Sequence, residues 1–301
     1  MPKRGTVLAR AGSTFRVSTE SGEVTGVLRG KVKREDRDRI VVGDVVLLDR
    51  ADAHGVAAIT GAEPRRNVLE RRSPTGRSSR PVAANLDRVL VLTAVAHPKP
   101  NLGLIDRLLV IAEANELPAG VVLTKIDLAT HADLNVRFRN AGYPVWPVSS
   151  RTGEGVTELA AEIVGNVTLL TGPSGGGKSS LLNRIQPGIS LATGEVSAKI
   201  GRGKHTTVAA VMVPFDQGGF LVDTPGFSDV GLAGVEPGAL AHCFPELRRF
   251  VPHCKFPDCH HLTEPGCAVR VAVEGGEIAA GRYETYRSLL RELDSAPRHW
   301  E

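Results

Sequence analysis

A glycine-rich loop that ends in lysine and serine carries the most recognisable chemistry of this 301-residue chain. The apolar residues 167–170 are followed by Gly172 and, five residues later, by Gly177, Lys178 and Ser179. Glycines let backbone N–H groups turn toward a phosphate chain, and a following helix adds the positive end of its dipole. Lys178 would bind the β- and γ-phosphates, and Ser179 would offer a hydroxyl to Mg²⁺. The pattern predicts a site for a nucleoside triphosphate with magnesium.

A second phosphate motif follows this loop in the chain. Asp223 ends an apolar run and stands three residues before Gly226, so its carboxylate can hold the magnesium shell while the glycine N–H meets the γ-phosphate. Between the two motifs, residues 201–207 read Gly-Arg-Gly-Lys-His-Thr-Thr, which is either a switch loop or a basic surface hairpin. In a switch loop, Thr206 or Thr207 would coordinate magnesium, and we favour Thr207.

A base-recognition motif lies upstream, at the end of another apolar run. Asp127 can accept hydrogen bonds from N1–H and the exocyclic amine of guanine, which adenine does not offer. Lys125 can lay its aliphatic stem over the purine, and Thr124 stands where asparagine is usual. Ser149 and Ser150 follow the next strand and would complete the pocket. These residues favour GTP over ATP.

The order of these motifs is rotated, because base recognition comes before the phosphate loop here, whereas in a conventional GTPase the phosphate loop comes first and base recognition last. Alternating strands and helices between residues 87 and 232 predict a mostly parallel sheet with the ligand at the carboxyl ends of its strands. We therefore predict a circularly permuted P-loop GTPase domain.

Catalysis needs a group that orients water, and many GTPases use a glutamine directly after Gly226. Phe227 occupies that place and cannot orient water. His205 in the switch loop is the nearest polar candidate, and a solvated loop histidine is the alternative.

The regions on either side of this domain have different compositions. Short alternating runs between residues 5 and 63 predict about five strands in a closed oligonucleotide-binding or SH3-like barrel. Residues 65–81 are rich in Arg, Ser, Pro and Gly and predict a mobile linker. Residues 1–81 hold 17 Lys/Arg against 10 Asp/Glu, an excess that suits either a polyphosphate partner or a solvated segment.

Three of the four cysteines lie close together in the tail, which favours a metal over disulfides. The candidate thiolates are Cys254, Cys259 and Cys267, and the candidate imidazoles are His253, His260 and His261. Three thiolates and one imidazole suit a single, closed, structural Zn²⁺ site. Cys243 lies outside this cluster, and residues 283–293 predict a helix that packs through Leu289, Leu290 and Leu293.

Nothing in the composition indicates a membrane protein. Hydrophobic residues make up 42% and charged residues 23% of the chain, and no apolar run approaches the roughly 18 residues of a membrane span. The amino terminus lacks the pattern of a secretory signal. We expect a cytoplasmic protein.

Taken together, these motifs resemble the RsgA (YjeQ/YloQ) family of small-ribosomal-subunit biogenesis GTPases, over nearly the whole chain. The distinctive segments are GRGKHTT at residues 201–207, DTPGFSD at 223–229 and HLTEPGCAV at 261–269. The resemblance implies an oligonucleotide-binding barrel, late maturation of the 30S subunit, contact with 16S rRNA and GTP hydrolysis stimulated by that subunit. It also implies that the zinc ligands are Cys254, Cys259, His261 and Cys267. Thr124, and Gly176 where valine is common, depart from the family pattern.

We accordingly predict a monomeric, multidomain α/β protein: an OB-type barrel in residues 1–64, a basic linker in 65–81, the permuted GTPase in 82–234 and a zinc-binding domain with helices in 235–301. The expected ligands are GTP or GDP, Mg²⁺ and one Zn²⁺. The predicted GTP-binding residues are Thr124, Lys125, Asp127, Ser149, Ser150, Gly172, Pro173, Ser174, Gly175, Gly176, Gly177, Lys178, Ser179, Ser180, Thr206, Thr207, Asp223 and Gly226. Ser179 and Thr207 are the expected magnesium ligands.

Two other functions fit parts of the sequence. One is a nucleotide-gated metal chaperone or another P-loop NTPase, for which zinc would be cargo. The other is an RNA-binding adaptor with weak NTPase activity, which Lys178, Ser179 and Asp223 argue against. In the favoured interpretation residues 223–229 form a second switch that leads almost directly into the zinc domain, so the γ-phosphate could tilt that domain.

Overall fold

The structure, a computed structural model, describes residues 3–29, 40–72, 79–188, 210–224, 232 and 235–295. None of the helices in these parts of the chain is both long and apolar enough to span a lipid bilayer.

The amino-terminal strands close into a small barrel. They are β1 (Lys3–Ala11), β2 (Thr14–Thr19), β3 (Gly22–Leu28), β4 (Val45–Leu48) and β5 (Val56–Ala62). The pairing runs β1-β2-β3-β5-β4 and returns to β1, with β3 and β5 parallel. Alternate residues point inward, so Val7, Phe15, Val17 and Ile59 form a separate core. The predicted OB-type barrel is confirmed, and the SH3-like alternative is not needed.

The region after the barrel differs from the mobile linker that its composition predicts. Strands β6 (Val68–Arg72) and β7 (Ser79–Ala84) pair antiparallel there. Leu69 and Ala83 are fully buried in the main core. Their burial stabilises the β6–β7 pair, which the arginine-rich composition of the segment does not predict.

The nucleotide domain is built on a second group of strands. They are β8 (Arg88–Ala94), β9 (Ala119–Thr124), β10 (Val145–Pro147), β11 (Val167–Thr171), β12 (Val211–Pro214) and β13 (Phe220–Asp223). Their order is β10-β9-β8-β11-β13-β12, and only β12, at the edge, is antiparallel. The β12 edge also pairs with β1 of the barrel, Val211 facing Ala9. One continuous sheet therefore joins the barrel to the nucleotide domain.

Helices cover both faces of this sheet. They are α1 (Leu102–Ala114), α2 (Ala132–Asn140), α3 (Val156–Ile163) and α4 (Lys178–Ile185). Successive residues of β8 point to opposite faces, so Leu90 packs with α3 and α4 while Val91 packs with α1 and α2. Such double coverage explains the nearly unbroken apolar sequence of the parallel strands.

The tail packs on the face that carries α1. It contains 3₁₀ turns at Pro237–Cys243 and Val251–His253 and the helices α5 (Pro245–Arg248), α6 (Ala268–Glu274) and α7 (Ala280–Ser295). The helix predicted around residues 283–293 is confirmed as α7, with Leu289 and Leu290 buried. These leucines belong to the same core cluster as Ile105 and Leu109 of α1. The tail thus shares a core with the nucleotide domain.

Candidate nucleotide and metal sites

The phosphate loop connects β11, in the middle of the sheet, to the first residue of α4. Gly172 has φ of 144°, and a Cβ there would lie 2.1 Å from the carbonyl oxygen of Leu92 in β8. Gly177 has φ of 87°, at the N-cap of α4. Both positions therefore require glycine, one for close approach of a neighbouring strand and one for a left-handed turn. The loop backbone is held at the carboxyl end of the sheet, where α/β proteins bind ligands.

Lys178 and Asp223 meet beside this loop. The Lys178 Nζ lies 2.7 Å from Asp223 Oδ1, and the aspartate is almost fully buried. The parallel pairing of β11 with β13, Leu169 facing Val222, brings the two motifs to the same level. Ser179 follows in the first turn of α4. A hydroxyl and a carboxylate at a phosphate loop are oxygen donors that fit Mg²⁺.

The carboxylate of Asp127 is held in a fixed orientation. Ser149 Oγ donates to Asp127 Oδ1 at 2.5 Å, and Arg151 Nε lies 2.7 Å from Oδ2. The hydrogen bond from Ser149, together with that from Arg151, lowers the pKa of Asp127 below its usual value. Asp127 therefore stays an anionic acceptor, the form that recognition of guanine N1–H requires.

Thr124 and Lys125, which precede Ile126 and Asp127 in the chain, form hydrogen bonds to the phosphate loop. Thr124 Oγ1 donates to the carbonyl oxygen of Gly176 at 2.6 Å. Lys125 Nζ donates to the carbonyl oxygen of Gly175 at 3.0 Å and also to that of His97. Base motif and phosphate loop, 50 residues apart in the chain, are thus in direct contact.

A cleft of about 750 Å³ lies where the two motifs meet. It is lined by Thr124, Lys125, Asp127, Leu128, Ser150, Arg151, Gly177, Ser180, Asn183, Arg184 and Pro187. Asn183 and Arg184 were not predicted from the sequence. Their position three and four residues beyond Ser180 on α4 is a signal that could have identified them, since residues at this spacing share a helix face.

The structure brings most of the predicted nucleotide residues into this region. The loop residues Gly172, Pro173, Ser174, Gly175, Gly176 and Gly177 lie between β11 and α4. The predicted residues His205, Thr206, Thr207 and Gly226 lie outside the described residues.

The predicted metal ligands also converge. One ligand atom from each of Cys254, Cys259, His261 and Cys267 lies within 4.8 Å of all the others. His261 presents Nδ1, 3.4 Å from the sulfur of Cys254 and 3.5 Å from that of Cys267. His261 is buried, whereas the neighbouring His260 is exposed. Burial and the neighbouring cysteines raise the pKa of the Cys259 thiol to about 12, so a bound cation would be needed to stabilise the thiolates.

The loop that carries these ligands is braced by its own backbone and by α7. Glu264 accepts hydrogen bonds from the backbone N–H groups of His260, Leu262 and Thr263. Tyr283 of α7 donates its hydroxyl to the carbonyl oxygen of His261 at 2.5 Å, and Tyr286 donates to that of His260 at 2.8 Å. His261 has φ of 58°, so these contacts hold a backbone conformation that is uncommon outside glycine. The donor set and its bracing fit a tetrahedral metal ion.

Comparison with known proteins places these sites in a family context. A family model described as RsgA GTPase matches residues 62–233. Over 297 residues the chain is 46% identical to the small ribosomal subunit biogenesis GTPase RsgA of Gemmatimonas aurantiaca, with 96% of this chain and 97% of that protein covered. A protein of the same name from Moorella thermoacetica is 38% identical over 296 residues, with 96% and 97% covered.

Solved structures resemble the whole chain as well. The crystal structure of YjeQ from Thermotoga maritima matches with a TM-score of 0.81 and 36% identity, covering 99% of this chain and 100% of that one. The structure of YloQ, described as a circularly permuted GTPase, matches with a TM-score of 0.77 and 28% identity, covering 99% and 98%. The similarity therefore extends from the barrel through the nucleotide domain to the tail.

Proposed function

The chain belongs to the RsgA GTPase family, and from this premise we propose that it hydrolyses GTP while bound to the small ribosomal subunit and assists late maturation of that subunit. The observation that carries the proposal is the meeting of Asp127 and the phosphate loop at one cleft. The sheet order β9-β8-β11 and the hydrogen bonds from Thr124 and Lys125 to the phosphate loop bring these motifs together although the chain order is permuted. The names of the relatives supply the ribosomal part of the proposal.

In this proposal the nucleotide lies along the cleft. Asp127 accepts from guanine N1–H and the exocyclic amine, and Lys125 covers the purine. Lys178 and the loop N–H groups bind the phosphates. Ser179 and Asp223 would hold Mg²⁺, with Thr207 as an added ligand in the triphosphate state. The bound Mg²⁺ would neutralise charge on the β- and γ-phosphates.

Hydrolysis replaces the bond between the γ-phosphorus and its bridging oxygen with a bond to water, which releases GDP and phosphate. Because Phe227 cannot orient that water, we assign the role to His205 and expect the ribosomal subunit to position its loop. Full subunit-stimulated turnover by a His205→Ala variant would exclude this role.

The metal in the tail is proposed to be one structural Zn²⁺, because three thiolates and an imidazole with no open position suit zinc. We further propose a cytoplasmic monomer that contacts 16S rRNA through its barrel and tail. Tighter binding of the subunit with GTP than with GDP would follow if the γ-phosphate controls the tail. Equal affinities with GDP and a nonhydrolysable GTP analogue would contradict that control.

The decisive experiment measures GTP turnover by the purified protein with and without 30S subunits. We expect slow turnover alone and clear stimulation by the subunit. A Lys178→Ala variant serves as the control that removes the phosphate contact, and its turnover should be abolished in both conditions. Turnover that 30S subunits leave unchanged would contradict the ribosomal part of the proposal, and failure to bind GTP would contradict all of it.

A further inference from the structure

Thr124 occupies a buried position between the base motif and the phosphate loop. It is the last residue of β9 and is 1% exposed. Its hydroxyl donates to the carbonyl oxygen of Gly176 at 2.6 Å, and a Cβ built on Gly177 would lie 3.2 Å from the Thr124 hydroxyl oxygen. The threonine side chain is therefore packed against the peptide that joins these two glycines.

The direction of this hydrogen bond determines how that peptide is oriented. In a trans peptide the C=O and N–H groups point in opposite directions. With the Gly176 carbonyl drawn toward Thr124, the N–H of Gly177 points away from β9. The preceding carbonyl, that of Gly175, is held in the same manner by Lys125 at 3.0 Å. Two successive residues of β9 and its loop thus hold two successive carbonyls of the phosphate loop.

The same bond leaves Thr124 little capacity for reading a base. A hydroxyl has one proton, and here it is given to Gly176. Guanine N7 and O6 are both acceptors, so a hydroxyl whose proton is engaged cannot bond to either. The donors of guanine, N1–H and the amine, are matched by Asp127 in the proposed function.

Because its acceptor is a glycine, the hydrogen bond from Thr124 to Gly176 has a larger effect on the backbone. A glycine peptide explores more backbone conformations than one flanked by side chains. Gly176 also donates its N–H to Pro173 at 3.1 Å, and a Cβ there would lie 2.9 Å from the Pro173 carbonyl oxygen. The tight turn therefore suits glycine, and the Thr124 hydroxyl restricts the freedom that glycine brings.

We propose that Thr124 is a positioning residue that orients the phosphate loop for binding, and that it does not contact the base. This inference rests on the proposed function, since it names how the same site binds guanine nucleotides. It makes a specific distinction: loss of the hydroxyl should weaken every nucleoside diphosphate and triphosphate equally and leave base discrimination unchanged.

The test compares Thr124→Val, which removes the hydroxyl at nearly constant shape, with Thr124→Ser, which keeps it. Affinities for GDP, GTP and 7-deaza-GDP are measured by calorimetry; 7-deaza-GDP lacks N7, one of the acceptors that a base-contacting hydroxyl would bind. We expect the valine variant to lose about tenfold for all three nucleotides, the size of one lost hydrogen bond to a buried acceptor. The serine variant should restore binding, and in both variants the ratio of GDP affinity to 7-deaza-GDP affinity should match that of the parent protein.

Two results would overturn the inference: parental affinities in Thr124→Val, or a ratio of GDP affinity to 7-deaza-GDP affinity that falls while the affinity for 7-deaza-GDP is kept. Should valine prevent folding, Thr124→Ala replaces it in the same comparison with Thr124→Ser. Failure of the proposed function is distinguishable, because in that case the unmodified protein would bind no guanine nucleotide. If the parent protein binds GDP and the valine variant binds it equally well, the inference is contradicted and the proposed function is not.

Discussion

At the scale of single residues, the cleft is organised by side chains that hold other side chains. Ser149 and Arg151 each donate to one oxygen of Asp127, so the carboxylate is oriented and anionic before any ligand arrives. Lys178 and Asp223 are paired in the same way at the phosphate end. Preorganisation of this kind reduces the ordering that ligand binding must cause.

We predict that Asp127→Asn changes base preference. The amide keeps one acceptor and presents a donor group to guanine N1–H and the amine, so GDP affinity should fall at least about a hundredfold. Xanthosine diphosphate (XDP) carries a carbonyl in place of the exocyclic amine of guanine. The side-chain amide of the Asp127→Asn variant can donate to that carbonyl, so XDP affinity should rise. Calorimetry with both nucleotides measures the change. Asp216→Asn, at an exposed position in the β12–β13 turn, is the matched control. If Asp127→Asn bound GDP as tightly as the parent protein, the assignment of Asp127 to base recognition would be contradicted.

At the scale of secondary structure elements, α7 joins the tail to the nucleotide domain through a buried cation. Arg282 is fully buried and contacts Glu246 of α5 at 2.5 Å and Asp106 of α1 at 3.0 Å. Its guanidinium also lies 4.8 Å from the ring centre of Phe244. Asp106 in turn pairs with Arg137 of α2 at 2.6 Å. Four helices thus meet at one charge network.

Replacing Arg282 by methionine should destabilise the protein strongly. The change leaves the carboxylates of Glu246 and Asp106 buried with less compensation, and the loss of unfolding free energy should be about 3–5 kcal/mol. Urea denaturation measures it. Arg291→Met alters an exposed arginine of the same helix and should be nearly neutral. An unchanged denaturation midpoint in Arg282→Met would show that the network contributes little.

The metal loop should depend on its ligands, whereas α7 should not. Cys259→Ser should abolish stoichiometric metal, measured by mass spectrometry, and should expose the loop around residues 254–267 to protease. Because α7 packs on α1 through its own core and ion pairs, it should remain protected from amide exchange. Cys243→Ser, which alters the cysteine outside the cluster, should keep the metal. A Cys259→Ser protein with full metal content would contradict the ligand assignment.

At the scale of the whole molecule, the barrel is attached to the nucleotide domain by more than one short strand pairing. Arg65 forms a two-pronged ion pair with the buried Asp44, at 2.7 and 2.8 Å. Asn85 donates to the carbonyl oxygen of Gly43 at 2.9 Å. Gly43 has φ of 90°, and a Cβ there would lie 2.0 Å from the Ala84 carbonyl oxygen, so only glycine permits this approach. The barrel is therefore fixed at a close junction.

Asp44→Asn should loosen this junction. The loss of the charge pair, in which Arg65 is partly exposed, should cost about 1–3 kcal/mol. We expect faster amide exchange in β1 and in the paired edge strand β12, measured by mass spectrometry. Asp49→Asn, at an exposed barrel position, is the control. Exchange rates equal to those of the parent would indicate that strand pairing and packing alone hold the barrel.

What the sequence determined by itself was the local chemistry. The phosphate loop, the three metal-binding cysteines and the alternating strands of the barrel depend on residue type at short spacing, which is visible in the chain. The permuted order of the motifs was likewise evident from the positions of Asp127, Lys178 and Asp223.

Only the tertiary structure decided which distant side chains became partners. Arg65 is part of a basic cluster in the sequence, yet it pairs with Asp44, 21 residues away. Thr124 stands at a base-recognition position, yet its hydroxyl bonds to Gly176, 52 residues away. Arg282 is polar and would be expected at the surface, yet it is fully buried. The physical reason is that burial and hydrogen bonding at these positions depend on which elements the folded sheet brings together. The spacing of residues along the chain does not specify which elements become neighbours.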